Sequence, residues 1–263
     1  NGVYRFLFSG CPTQLEKCST QGISFNVIND PVNLMADRLA SLLFLRGDVK
    51  PSKLKFAIVV PDNYLESTSA YRMKDLGHGG MFPPSVTMLA YVGQLGSVVS
   101  RKDGSRIPVG AIPVYMNDDP AYSTRIVDKL SSKLRGHGAL DLAEKSAVSS
   151  TGEVSLDSSR ELLTVAAERT NAVVSTKKGK IIAGALQINN HKGFLSFSVS
   201  SFDGKPVKES RRLLVMHLTN AMPSGMTFTG QDMNMALSCG KMPYLVRRGV
   251  AEVSLKMAPG KTP

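Results

Sequence analysis

The chain has 263 residues, enough for two ordinary domains, and its 42% share of hydrophobic residues can build a sizeable core. The longest apolar run, Leu39 to Leu45 interrupted by Ser41, meets Arg46 far short of the about 20 residues that a membrane-spanning helix needs. The net charge of +11 is concentrated late: residues 169–263 hold 14 Lys+Arg against 4 Asp+Glu, whereas residues 1–168 hold 18 against 17.

A basic C-terminal third can serve nucleic acid or another anionic polymer. Here the charges are dispersed and cluster only at Lys177-Lys178-Gly179-Lys180, Arg211-Arg212 and Arg247-Arg248. Aromatic residues make up 6% and there is no Trp, which supplies few platforms for base stacking. The plainer expectation is a solubilising face, or a surface turned to acidic parts of a larger protein, and nucleic acid is not expected as a partner. Cys11, Cys18 and Cys239 are too few for a disulfide framework. Cys11 and Cys18 could close one small loop, but three free thiols is the simpler reading. His78, His137, His191 and His217 are scattered and fit no zinc spacing, so no metal or cofactor is expected. The N-terminus has no basic segment leading into an apolar stretch, so no signal peptide is expected. It also lacks an initiator Met and starts inside a strand-like run, which suggests a piece of a longer chain.

In chain order, residues 3–9 read as an aromatic and aliphatic strand ended by Gly10. After a polar loop, Ile23 to Ile28 is a short apolar stretch. A helix follows, with Asp30 as N-cap and Pro31 at its first position. Its apolar stripe predicts burial of Met35, Leu39 and Leu42, and Gly47 is the natural stop after Arg46. Leu54 to Val60 is a continuous apolar strand of the buried kind, closed by Pro61. Ser85 to Leu95 reads as a helix. Val98-Val99, a turn at Asp103-Gly104 and Ile107 to Tyr115 suggest strand structure, and Tyr122 to Leu134 a second amphipathic helix. Beyond about residue 146, Ser, Thr and Gly rise and short β-branched runs recur at the spacing of a sandwich. They are Glu153 to Leu156, Leu162 to Ala166, Asn171 to Ser175, Lys180 to Gln187, Phe194 to Ser200, Leu213 to Leu218 and Val250 to Lys256, with a turn at Asp203-Gly204.

No catalytic motif stands on its own. Gly77-His78-Gly79-Gly80 has the look of an esterase oxyanion loop, but no Gly-x-Ser-x-Gly elbow accompanies it. Asp118-Asp119 precede Pro120 and read better as helix N-terminal acids than as a glycosidase pair. Asp141 and Glu144 form a second carboxylate pair by sequence.

Three runs carry a family resemblance: Asn1-Gly2-Val3-Tyr4-Arg5-Phe6-Leu7-Phe8-Ser9, Phe25-Asn26-Val27-Ile28-Asn29-Asp30-Pro31, and Ala40 to Val49. Together they resemble the end of the catalytic barrel in large multidomain glycoside-hydrolase-like (β/α)₈ proteins of the retaining superfamily. Thr151-Gly152-Glu153-Val154, Ser198 to Ser210, Leu213 to Asn220 and Gly240-Lys241-Met242-Pro243 resemble the C-terminal β domain of the same proteins.

The resemblance implies an α+β organisation. Residues 1–146 would be an α/β segment, the last barrel strand and helix with a small mixed segment, and residues 147–263 an all-β sandwich domain. It places the acid/base and nucleophile carboxylates upstream of Asn1, so that no catalytic residue is expected here. Phe8 and Ser9, at the end of the last barrel strand, would be the substrate-contact residues. The implied partners are carbohydrate and an upstream barrel of the same parent chain, with no membrane. The implied function is a non-catalytic structural or accessory portion. A carbohydrate- or anionic-polymer-binding module, and a self-contained hydrolase whose site is not legible, are the alternatives.

Overall fold

The computed structural model describes residues 31–61, 86, 88–100, 106–115, 125, 130, 134, 139–141, 143–230 and 236–260. The expected strand at 3–9, the apolar stretch Ile23 to Ile28, the Asp30 cap, the Asp103-Gly104 turn and Asp118-Asp119 lie outside the described residues. The chain divides into two compact units. One spans Val49–Ala167; the other joins the stretch ending at Asp48 to the stretch from Glu168 onward. The change of unit therefore falls at Asp48–Val49 and again at Ala167–Glu168, whereas the sequence places the change of character near residue 146. The described fold is β-rich, with several antiparallel sheets and few helices.

In the first unit, β1 (Lys55–Pro61) lies between β2 (Gln94–Ser100) and β3 (Ile112–Tyr115), all parallel. Phe56, Ala57, Ile58, Val59 and Val60 are each 3% exposed or less, so both faces of β1 are covered. That burial is what a continuous apolar run with no polar alternation demands. Val86, Leu89, Val92, Val114 and Leu140 complete the core around it. The expected helix Ser85 to Leu95 ends earlier: α2 is Leu89–Val92, and Gln94 already begins β2. Gly93 is extended rather than helical, and its N–H closes the last turn on Leu89. The expected strand Ile107 to Tyr115 is a strand only from Ile112. Four short strands, β4 (Ala139–Asp141), β5 (Ser146–Val148), β6 (Val154–Asp157) and β7 (Leu162–Ala166), follow as an antiparallel meander.

Among the described residues, the second unit holds α1 (Pro31–Arg46) and eight strands. Its stripe is not buried as expected: Met35 is 40% exposed and Leu39 and Leu42 are only half-buried. Phe44 and Leu45 lie off that stripe at 56% and 82% exposure, so apolar side chains ring more of the helix than one interface can cover. The C-terminus of α1 is sharply defined. Gly47 has φ +60°, its N–H donates to the Phe44 carbonyl, and the Asp48 N–H donates to the Leu43 carbonyl. These are the two bonds of a Schellman motif, which a glycine at this position makes without strain.

β8 (Thr170–Ser175), β11 (Leu195–Ser201) and β12 (Leu213–Leu218) run antiparallel with β11 in the middle. β9 (Gly179–Ala183), β10 (Leu186–Asn190) and β15 (Ala251–Leu255) form a second antiparallel sheet around β10. The expected single strand Lys180 to Gln187 is thus a hairpin, turning at Gly184-Ala185. β13 (Ala221–Phe228) and β14 (Ala236–Val246) make a long two-stranded hairpin with two register shifts. Val173, Leu186, Ile188, Leu195 and Val199 are buried at 1% exposure or less and form the apolar interior of this unit.

Candidate functional site

The most organised polar site in the second unit begins at the end of α1. The Schellman turn delivers Asp48 beside the start of β8, where its side chain is wholly buried. A buried carboxylate needs a donor for each lone pair, and Asp48 has them. Arg46 approaches as a fork, with Nε 3.1 Å from Oδ1 and Nη2 2.7 Å from Oδ2. Arg169 Nη2 lies 3.0 Å from Oδ1, and Thr170 Oγ1 donates to Oδ2 at 2.7 Å. Having given its proton to the carboxylate, the Thr170 hydroxyl can only accept from Ser200 Oγ, 2.9 Å away. Thr170 and Ser200 are partners in the β8–β11 ladder, and both are 0% exposed. Arg169 also donates to the Arg46 carbonyl, satisfying a group left open at the helix end. The outer side of Arg46 faces the Phe202 ring, 6.0 Å from its centroid.

Beside this node, Ser201 to Arg212 forms a loop closed by Asp203. Its carboxylate accepts from Arg211 N–H at 3.0 Å, Ser201 Oγ at 3.1 Å and Lys205 N–H at 3.4 Å. The Arg211 N–H above all, then the Ser210 hydroxyl, hold its pKa far below the usual carboxylate range. A depressed carboxylate pKa stabilises the folded loop fully above the ordinary pKa of about 4, and that stability is lost as pH falls through the lowered value. An NMR titration should therefore show Asp203 still ionised where an ordinary Asp is protonated. An Asp203 midpoint near 4 would contradict this reading of the loop. In the first unit, Asp157 is lowered in the same manner, chiefly by the Ser159 hydroxyl at 2.8 Å.

The loop opens on a groove of about 620 Å³, lined by the run Arg211–Val215 together with Phe202 and Leu255. Phe202 is 51% exposed and Val215 53%. Neither the Arg211 nor the Arg212 guanidinium has an ion-pair or hydrogen-bond partner among the described residues. The groove thus offers two available cations, one aromatic face and an aliphatic wall.

Phe8, Ser9 and the loop around His78 lie outside the described residues. Asp141 and Glu144 come together as a turn, with the Glu144 N–H donating to Asp141 Oδ1 at 3.0 Å on an exposed surface. His191 pairs with the exposed Glu252 at 3.2 Å, and the His217 ring tilts against Phe197. Glu153, buried in the first unit, accepts the Lys50 N–H at 2.6 Å. Asp48 itself escaped sequence reasoning except as part of a helix-end motif. The one available signal was an acid directly after the terminating glycine. Among the described residues, no group of three or more His, Cys, Asp or Glu could hold a metal, and no helix is long and apolar enough to cross a membrane. No family model, curated protein or solved structure matches the chain.

Proposed function

We propose that the chain is a non-catalytic C-terminal portion of a glycoside-hydrolase-like protein, in which the β-rich unit grips the end of the last barrel helix. The Asp48 node carries this reading. It lies in the Leu-Phe-Leu-Arg-Gly-Asp-Val run that resembles such a helix end, and its donors come from Arg169 and Thr170 at the head of β8. A carboxylate with four donors and no exposed surface is suited to holding a helix and has no route to a sugar. Asp141, Asp157 and Asp203 close turns, Glu153 accepts the Lys50 N–H, and Glu252 pairs with His191.

A retaining or inverting glycosidase needs two carboxyl groups about 5–10 Å apart across the scissile bond. The purified chain is therefore expected to hydrolyse none of a panel of aryl glycosides and natural oligosaccharides. Turnover that survives repurification and disappears in a single Asp or Glu to Ala variant would overturn the proposal. An in-frame barrel upstream of Asn1 is the corresponding genomic expectation.

A further inference from the structure

We propose that the groove along β12 takes up an extended acidic peptide segment with alternating apolar side chains, added as a strand to the edge of the sheet. The inference goes beyond the structural role proposed above and is tested separately from it. Successive side chains of a strand point to opposite faces. Leu213, Leu214 and Val215 are consecutive, yet all three line the groove. The groove therefore follows the strand's edge rather than crossing one face.

The hydrogen-bond phase of that edge can be read from its start. The Phe202 N–H donates to the Arg212 carbonyl at 2.8 Å, while the Ser201 N–H turns away to the Arg169 carbonyl at 2.9 Å. Antiparallel pairs alternate between bonded and non-bonded positions. Leu213 and Val215, opposite Ser201 and Val199, therefore turn their N–H and C=O groups away from β11. Among the described residues β12 pairs only with β11, so these groups are available to an incoming strand.

The chemistry of the walls selects the occupant. Leu213, Leu214, Val215 and Leu255 can cover alternate apolar side chains but offer side-chain hydrogen bonds to none of the hydroxyls of a sugar. Arg211 and Arg212, both without a partner among the described residues, stand at the strand's entrance and match carboxylates. A second copy of this chain is a poor occupant, because residues 169–263 carry a net charge of +10.

The probe is a fluorescein-labelled octapeptide of alternating glutamate and valine, read by fluorescence anisotropy at low and physiological salt. Saturable binding is expected, weakened about tenfold or more by the pair R211E/R212E. Val215→Pro removes an outward N–H at an edge position that tolerates proline, and should abolish binding without shifting the melting temperature. If that variant does not fold, the Leu213 and Val215 amides of the native chain provide the check, since their hydrogen exchange should slow on adding peptide. Absence of saturable binding up to about 1 mM would overturn the proposal. So would equal affinity for a lysine-valine octapeptide, or binding indifferent to R211E/R212E. A sulfated tetrasaccharide that binds through Arg211 and Arg212 where the peptide does not would make the groove a glycan site and overturn it equally.

Discussion

Asp48→Ala is expected to lower the unfolding free energy by about 3–5 kcal/mol, measured by urea denaturation. The attraction between Asp48 and its two arginines is the lesser part of that cost. The larger part is what remains after truncation: two guanidiniums converging on an empty, buried position, and a Thr170 hydroxyl with no acceptor for its proton. Arg46 and Arg169 are 21% and 32% exposed at their side chains, so some of their lost contacts pass to water, and the lower end of the range is the better expectation. Asp48→Asn separates charge from shape, since the amide keeps one acceptor but turns its NH₂ toward donors. It should fall between the native chain and the alanine variant. Combining Asp48→Ala with Arg169→Met should cost less than the sum of the two, because the second change removes a cation that the first leaves stranded. A stability loss below about 1 kcal/mol for Asp48→Ala would mean that the node does not hold the helix end, and the proposed structural role would lose its main support.

The uneven legibility of this chain has physical causes. The run Leu54 to Val60 could be read because a strand covered on both faces must be apolar throughout, and Phe56 to Val60 are covered in that way. The end of α1 could be read because only a left-handed residue makes the Schellman turn, and Gly47 supplies it. The stripe of α1 predicted burial wrongly: periodicity reports which face could be covered, while coverage depends on neighbours that periodicity does not see. β4 and β5, three residues each, are too short for any alternation to register. Periodicity marked neither β13 nor β14, and only the resemblance of Gly240-Lys241-Met242-Pro243 touched β14. Pro223, Gly225, Gly240 and Pro243 interrupt any alternation, and the hairpin absorbs them at its register shifts and left-handed positions. The Asp48 node was illegible because its charge partners are not local. Thr170 lies 122 residues away, and no spacing rule joins a helix end to the first residue of a distant strand.

Gly184→Ala is expected to cost about 2–5 kcal/mol, more than a glycine replacement in a turn ordinarily does. Two separate penalties meet at this position. Gly184 has φ +61° and begins the two-residue turn between β9 and β10. An L side chain in that left-handed region costs about 1–2 kcal/mol by itself. The second penalty is spatial. A Cβ at Gly184 would lie 2.7 to 2.8 Å from the Asn171 amide group, nearer than side chains approach one another. Asn171 cannot simply move aside: it is 3% exposed, and its Oδ1 accepts the Ala185 N–H at 2.8 Å, the bond that holds the turn against β8. Displacing it would leave a buried amide and a buried N–H without partners, about 1–3 kcal/mol more. Gly204→Ala provides the control within the same unit. Its φ is +76°, but an added Cβ there meets nothing within 4 Å, so only the backbone penalty of about 1–2 kcal/mol applies. The difference between the two variants in urea denaturation isolates the overlap with Asn171. Hydrogen exchange at Ala185 should accelerate in Gly184→Ala and stay unchanged in Gly204→Ala. Equal costs for the two replacements, with Ala185 still protected in both, would show that Asn171 yields without loss and that the turn needs glycine for its backbone alone.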